Sequence, residues 1–252
     1  MMKINTFRLR ETKQKLSARL EKYREMKKQR GMTLLEIIIV LGIIGVIAAG
    51  VVVLAQRAFD TKAMTDLTNN ANTVRVAMKN AYGPSGQYPA EDHAVTQGLT
   101  NETELLADTK SPIGKLVALG QVSPTEALNN ISGNYIDAGA ATIGTKTDAG
   151  YFIVLNGLSQ QQCRGVLNQV GNQWDYVAIA NNEPAGTYAA HTIKLDDPVA
   201  APQAPSGGGT AVMPANGIYR SLAPTGSVVL TPDSIITACN PNTSNAVILG
   251  SR

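Results

Sequence analysis

An uninterrupted apolar run near the amino terminus constrains this 252-residue chain more than any other feature. Residues 37–55 read IIIVLGIIGVIAAGVVVLA, nineteen positions without a polar side chain, and no charge lies between Glu36 and Arg57. A helix rising about 1.5 Å per residue needs about 20 such residues to cross the roughly 30 Å apolar core of a bilayer. The run therefore predicts a membrane-spanning helix.

Charge is distributed unevenly around that run. The chain carries 22 Lys and Arg, 19 Asp and Glu, and a net charge of +3. Eleven of the basic residues and three of the acidic ones lie in residues 1–31, so this segment carries about +8 and the remainder about −5. A basic chain often binds nucleic acid, but here the positive charge is confined to a leader and the rest is acidic. We therefore expect no nucleic-acid partner and a leader that stays on the cytoplasmic side.

Glu36 separates three interpretations of the apolar run. A secretory signal peptide has an apolar region of about 7–15 residues, and its small-residue cleavage site would have to lie near Ala48. A simple signal anchor fits the charge asymmetry, but it has no need of a carboxylate at the edge of the span, where an acid costs free energy. A processing signal accounts for the carboxylate, since a basic leader ends at Gly31 and Glu36 follows five residues later.

The segment KKQRG-MTLLE, residues 27–36, resembles the cleavage site of type IV prepilins. The resemblance implies that a prepilin peptidase cuts between Gly31 and Met32 and methylates the new amino terminus of Met32. It also implies that Glu36 pairs with this positive amine, on a neighbouring subunit of a helical filament. Such a pair is better regarded as a device that sets register than as a source of net stability.

The likeness extends beyond the cleavage site. The segment MTLLEIIIVLGIIGVIAAGVVVLAQRA, residues 32–58, with its long leader and initial Met, is similar to the type IVb pilins, the group of the toxin-coregulated pilus, longus and colonisation-factor pilins. GQYPA (86–90), GKLVALGQVSPTEA (114–127) and NGLSQQQC (156–163) resemble segments of that group in the same order. The Pro- and Gly-rich stretch 198–217 departs from the pattern.

The resemblance implies an α+β type IV pilin fold with four parts. These are the leader, the transmembrane and polymerisation helix, its amphipathic continuation and a globular head: residues 1–31, 32–56, 57–82 and 83–252. The spacing of apolar residues supports the continuation, because Gly83-Pro84 ends a stripe recurring every three or four positions: Leu67, Ala71, Val74, Met78 and Ala81. Three glycines in the first half are either ordinary for a membrane helix or a device for close packing or local unwinding: Gly42, Gly45 and Gly50.

Local patterns in the head predict short helices and an antiparallel sheet packed on the long helix. Two capping boxes predict helices, one from Ser123 to Asn129 and one that Ser159 and Gln162 open, running to Val170 and closed by Gly171. β-Prone runs bounded by Asn, Gly or Pro predict four strands: Tyr151–Leu155, Tyr176–Ala180, Ser227–Leu230 and Ala246–Leu249.

Cys163 and Cys239 are the only cysteines. Two cysteines in an exported domain most often pair, and the alternative is two separately buried thiols. In pilins such a disulfide bounds a carboxy-terminal region that faces outward between subunits, which here is residues 163–239.

No pattern in the chain predicts catalysis, a cofactor or a metal site. His93 and His191 lie in polar stretches that we expect to be exposed, and no Cys or acid stands at metal-ligand spacing from either. Residues 156–159 lack the second glycine of a nucleophile elbow, and residues 206–210 lack the Lys of a phosphate loop. Asp196-Asp197 supplies too few acids for a calcium site.

The sequence thus predicts a non-enzymatic structural subunit of a type IVb pilus. The precursor would lie in the inner membrane with a cytoplasmic leader and a periplasmic head. Prepilin peptidase and the inner-membrane assembly machinery would convert it into an extracellular helical homopolymer for adhesion and cell aggregation. Two alternatives stay open: a minor pilin or type II secretion pseudopilin, and a membrane-tethered binding module or enzyme that uses only the anchor.

Overall fold

The computed structural model describes residues 15–17, 19–22, 24, 33–188, 192–199, 217–224 and 230–252. The chain divides into two compact units, Met1–Ala58 and Phe59–Arg252. Most of the predicted leader and residues 200–216 of the Pro- and Gly-rich stretch lie outside the described residues.

The longest element is helix α1, Leu34–Tyr82. Within the first unit, every residue from Leu34 to Leu54 is exposed. The most apolar 18-residue window of α1 has a mean hydropathy of 3.2, and none of it is buried. By length and composition α1 can cross a membrane, as the apolar run predicts.

In the second unit, the predicted apolar stripe of α1 lies in the core. Four of its members are completely buried and Ala81 packs against the same cluster: Leu67, Ala71, Val74 and Met78 are each 0% exposed. α1 ends at Tyr82, where the Gly83 N–H donates to the Lys79 carbonyl oxygen at 2.9 Å. Pro84 cannot continue the helix because it has no N–H to donate. The stripe and the stop signal are both confirmed.

Three short helices follow in a region where the sequence analysis specifies none: α2 (His93–Gly98), α3 (Glu102–Ala107) and α4 (Pro112–Ala118). Each begins after a side chain whose oxygen accepts a hydrogen bond from an N–H of the first turn: Asp92, Asn101 and Ser111. These caps satisfy donors that a short helix otherwise leaves unpaired.

The helix predicted from Ser123 to Asn129 is wrong, although its capping box forms. The Ser123 N–H donates to Glu126 Oε2 at 3.0 Å, and the Glu126 N–H donates to Ser123 Oγ at 3.4 Å. The box closes a single turn, because Leu128–Asn129 (β1) pairs instead with Asn134–Tyr135 (β2) in an antiparallel ladder.

A buried side chain of α1 explains why that turn does not extend. Asn70 is 9% exposed, and its Nδ2 donates to the carbonyl oxygens of Leu128 at 2.8 Å and Thr125 at 3.2 Å. A continuing helix would engage these carbonyls in its own i to i+4 bonds. A tertiary contact therefore overrides the local helix signal.

The second unit also contains a five-stranded antiparallel sheet, separate from the β1–β2 pair. Its strands are Asp137–Ile143 (β3), Lys146–Leu158 (β4), Tyr176–Asn181 (β5), Gly217–Arg220 (β6) and Asn245–Ser251 (β7). Their order across the sheet is β3-β4-β7-β5-β6, and every pairing is antiparallel. The predicted strands within β4, β5 and β7 are confirmed, while Ser227–Leu230 lies outside the described residues except for Leu230.

Both faces of the sheet are buried. One face, which includes Ile153 and Leu249, belongs to the same cluster as the α1 stripe. The opposite face, which includes Phe152, is covered by Tyr188 and Leu195. Burial on both sides explains why β4 contains a continuous apolar run rather than an alternating one. The predicted α+β arrangement, a sheet packed on the second half of the long helix, is confirmed.

Helix α5, Gln160–Val170, begins as predicted, with both hydrogen bonds of the Ser159–Gln162 capping box present. Gly171 ends α5 but has a φ of −56° and starts a 3-10 turn, Gly171–Gln173. A Cβ at Gly171 would lie 2.5 Å from Leu230 Cδ1. A larger residue at Gly171 would therefore require the Leu230 side chain to move.

Cys163 in α5 and Cys239, which follows helix α6 (Pro232–Ala238), form a disulfide with Cα atoms 6.1 Å apart. Both residues are buried. Gln160 Nε2 also donates to the Cys239 carbonyl oxygen at 3.0 Å, so a hydrogen bond joins the same two segments. The structure thus has the paired cysteines and not two separate thiols.

Asn70→Ala tests the interaction that ends the Ser123 turn. The substitution leaves two carbonyl oxygens without their donor, so we expect the free energy of unfolding to fall by about 1–3 kcal/mol. Asn69→Ala is the matched control because Asn69 is exposed on the same helix, and its effect should stay within about 0.5 kcal/mol. Urea unfolding followed by Trp174 fluorescence measures both. Equal effects of the two substitutions would contradict the assignment.

The disulfide closes a sequence separation of 76 residues, for which the chain-entropy model gives a stabilisation of about 4 kcal/mol. The double variant Cys163→Ser, Cys239→Ser should therefore lose about 2–5 kcal/mol of unfolding free energy. The chain has no other cysteine, so treating the wild-type protein with a reductant should reproduce the loss without any substitution. A reductant that leaves the unfolding midpoint unchanged would show that the bond is absent or does not contribute.

Candidate assembly site

The predicted processing site directly precedes α1. Gly31 and Met32, the two sides of the predicted cleavage site, lie outside the described residues. Thr33 is described, and its carbonyl oxygen accepts hydrogen bonds from the N–H groups of Glu36 at 2.9 Å and Ile37 at 3.3 Å. The helix thus begins two residues after the predicted new amino terminus.

Thr33 is a residue of this site that the sequence analysis missed. Its Oγ1 accepts a hydrogen bond from the Glu36 N–H at 3.3 Å. The Thr-x-x-Glu spacing is that of a capping box, so the signal was available in the sequence. Glu36 lies in the first turn of α1, where unpaired N–H groups and the helix dipole favour a carboxylate. Its position therefore suits the end of a helix as well as the pairing implied by the prepilin resemblance.

Beyond Glu36, α1 presents an apolar surface on all sides. The exposed fraction reaches 76% at Val46 and 67% at Leu54. Among the described residues, and apart from the neighbouring backbone of α1 itself, no atom lies within 4 Å of a Cβ built at any of the three glycines of this segment: Gly42, Gly45 and Gly50. The first unit alone thus leaves a helix surface that needs an apolar neighbour.

Polar and aromatic contacts fasten the second half of α1 within its own unit. The Arg75 guanidinium lies 4.8 Å from the ring centroid of the buried Trp174, a cation–π distance. The Tyr151 hydroxyl donates to the Arg75 carbonyl oxygen at 3.2 Å. Burial raises the pKa of Tyr151, so this hydroxyl stays protonated and can donate.

The expectation that His93 is exposed is wrong. Its side chain is 13% exposed, and its Nδ1 contacts Oδ2 of the completely buried Asp137 on β3. Asp137 lies 44 residues further along the chain, so no local pattern reports the pairing. His191 lies outside the described residues.

The other polar patterns considered in the sequence have structural partners. Asn156 is buried, and its Nδ2 donates to the Thr187 carbonyl oxygen at 2.8 Å, while Ser159 caps α5. Asp196 Oδ2 accepts a hydrogen bond from the Gly144 N–H at 2.9 Å. In the part of the chain that the structure describes, no three His, Cys, Asp or Glu side chains are placed to hold a metal ion. Residues 206–210 lie outside that part.

Comparison with known families supports a pilin. Residues 26–52, which include the predicted cleavage site and much of the apolar run, match the family model of the prokaryotic N-terminal methylation motif. The crystal structure of TcpA, a type IV pilin from Vibrio cholerae El Tor, resembles this chain with a TM-score of 0.57 at 22% identity. The match covers 76% of this chain and 99% of that one, which shows a shared fold.

Curated relatives establish the family. The toxin coregulated pilin of Vibrio cholerae serotype O1 is 36% identical over 196 residues, which cover 78% of this chain and 77% of that protein. A second toxin coregulated pilin from Vibrio cholerae is 39% identical over 151 residues, covering 60% of this chain and 62% of that protein. Pilins are structural proteins. The chain therefore belongs to the type IVb pilins, as a pilus subunit whose precursor lies in the inner membrane and whose mature form is extracellular.

Proposed function

We propose that this chain is a major pilin that polymerises through α1. In this account the leader, residues 1–31, is removed by prepilin peptidase between Gly31 and Met32, and Met32 is methylated. Residues 32–56 leave the membrane and form the filament core, and residues 57–82 pack on the head, residues 83–252. The partners are further copies of the chain, the peptidase and the inner-membrane assembly machinery.

The exposed apolar surface of the first unit carries the proposal. All residues from Leu34 to Leu54 are exposed in the single chain, and none of the most apolar window is buried. Burying a large aliphatic side chain contributes roughly 1.5–3 kcal/mol, so this surface strongly favours an apolar surrounding. Lipid supplies it before assembly, and the same helices of neighbouring subunits supply it in a fibre.

We expect the charges at the start of α1 to fix the axial register of neighbouring subunits in the polymer. Cleavage after Gly31 would create a positive amine on Met32, four residues before Glu36. Glu36 is the last charged residue before Arg57, so it alone can neutralise an amine that enters the apolar bundle. An amine paired with Glu36 of the next subunit would be hydrogen-bonded and neutralised, whereas a register shift would leave both charges buried and unpaired.

Similarity over most of the relatives' length favours a pilin over a tethered module that shares only the anchor. The alignment with the serotype O1 pilin extends over 77% of that protein, well beyond the methylation motif, which covers only residues 26–52. A module sharing only the anchor would match only in the anchor. As the resemblance to type IVb pilins implies, we assign the extracellular fibre to adhesion and cell aggregation. The disulfide-bounded region 163–239 would lie on its outer surface.

Substitutions at Glu36 separate charge pairing from helix capping. Glu36→Gln keeps a side chain that can serve a capping box but removes the charge, and Glu36→Val removes both. Leaving a buried amine unpaired costs roughly 3–5 kcal/mol, so the fibre yield of both variants should fall by at least about 100-fold. The measurement is the amount of pilin sheared from the cell surface, relative to pilin in the membrane.

Leu35→Val is the matched control, because Leu35 is exposed on the same turn and the change removes one methylene without altering charge. It should insert, lose its leader and assemble like wild type. Normal fibre yield from Glu36→Gln combined with failure of Glu36→Val would show that capping, and not the charge, is what assembly requires. Normal fibres from both variants would contradict the mechanism altogether.

A further inference from the structure

A histidine and a buried carboxylate from distant parts of the chain meet at the edge of the sheet. His93 begins α2, and Asp137 begins β3. Asp137 is 0% exposed, and its Oδ2 contacts His93 Nδ1. Its Oδ1 has no hydrogen-bond partner among the described residues. A buried carboxylate is stabilised when its partner is a cation, so the protonated form of His93 suits this contact.

The segment that ends at His93 contacts the start of β4 and the first part of β3. We call residues 88–93 the strap. The Tyr88 N–H donates to the Asp148 carbonyl oxygen at 3.0 Å. A Cβ at Gly139 would lie 2.5 Å from Glu91 Cβ, so the strap approaches β3 as closely as glycine permits. The strap is therefore held at Asp148 of β4 and at Gly139 and Asp137 of β3.

The charges around His93 are predominantly negative. Glu91 lies on the strap, Asp137 on β3 and Glu183 on the segment after β5, and the charge of each acts on His93. Burial and the charge of Asp137 raise the pKa of Tyr188, so this group stays neutral, and its hydroxyl donates to the Tyr135 carbonyl oxygen. With His93 neutral, the carboxylates of the cluster would lose the positive charge that lies among them.

We propose that His93 and Asp137 form a pH-operated latch that clamps the strap to β3 when His93 is protonated and releases it as the pH rises. The hydrogen bond to Asp137 raises the pKa of His93 above its ordinary value of 6.5. Burial opposes this effect, and the charges of Asp137, Glu91 and Glu183 add to it. Because the folded pKa is the higher one, the stabilisation is fully present below about 6.5 and is lost as the pH rises through the folded value.

Release of the strap would uncover the first part of β3, which is an edge strand of the sheet. β3 pairs on one side with β4. On its outer side, the Thr142 N–H donates to the Ile193 carbonyl oxygen at 2.9 Å, and the Leu195 N–H donates to the Thr142 carbonyl oxygen at 2.9 Å. These bonds pair the end of β3, and the strap packs against its beginning at Gly139 and Asp137. An open latch would thus expose the surface of β3 around these two residues.

Hydrogen exchange of the full-length chain in detergent micelles tests the latch. Protection of the amides in residues 88–99 would be compared at about pH 6 and about pH 8.5, after correction for the intrinsic exchange rate at each pH. Wild type should lose protection there several-fold between the two conditions, relative to the amides of α5. His93→Gln keeps a neutral hydrogen-bond donor, so its strap should be less protected at the lower pH and insensitive to the change.

Two further variants complete the test. Asp137→Asn removes the buried charge and should also abolish the pH dependence. His191→Gln replaces the only other histidine and should behave like wild type. If either variant at the latch fails to fold, wild type and His191→Gln still decide between outcomes. A strap whose protection does not change with pH, a change that His93→Gln retains, or one that His191→Gln abolishes would overturn the proposal.

Discussion

The uncharged run between Glu36 and Arg57 exposes apolar side chains on every side of a helix, and water is an unfavourable neighbour for all of them. At roughly 1.5–3 kcal/mol for each large side chain, the whole run favours an apolar surrounding by an amount on the order of tens of kcal/mol. A lipid core and a bundle of identical helices serve equally well, since both are apolar. The same segment can therefore lie in the membrane in the precursor and among like helices in a fibre. Glu36 and Arg57 mark the two ends of its uncharged run.

The rest of the chain follows from a change of surface along one helix. After Arg57, α1 becomes amphipathic, and its stripe from Leu67 to Met78 is completely buried in the second unit. Asn70 adds a specific polar contact to this packing, because its amide donates hydrogen bonds to backbone carbonyls of the segment that follows α4. The sheet needs cover on both faces, and one face receives it from the α1 stripe. One continuous helix thus carries an exposed apolar surface and a buried folding surface.

The elements predicted correctly from capping and stop signals are those whose ends are determined by residues within the same helical turn. Gly83 ended α1 and Ser159 opened α5 because a stop signal and a capping box act within one helical turn. The helix predicted from the box at Ser123 did not form because Asn70, on another element, competes for the same carbonyls.

The strand β3 reads DAGAATI and was missed since small residues carry little β propensity. The burial of His93 was missed because its partner lies 44 residues away. At the candidate assembly site, Glu36 was singled out by its spacing to Gly31, and its pairing role stays a prediction. The Thr33 cap was overlooked although its spacing to Glu36 is equally local.

The proposed assembly requires that the chain be cut at one bond and then polymerise. The amino terminus of the subunit found in fibres shows whether both steps have occurred. Fibres sheared from the cell surface would be purified, and their dominant subunit analysed by amino-terminal sequencing and intact mass. A dominant subunit that begins with methylated Met32 and continues TLLE is the predicted result. A subunit that retains residues 1–31, begins after Ala48, or is only a trace component of the fibres would contradict the claim that this chain is a processed major pilin.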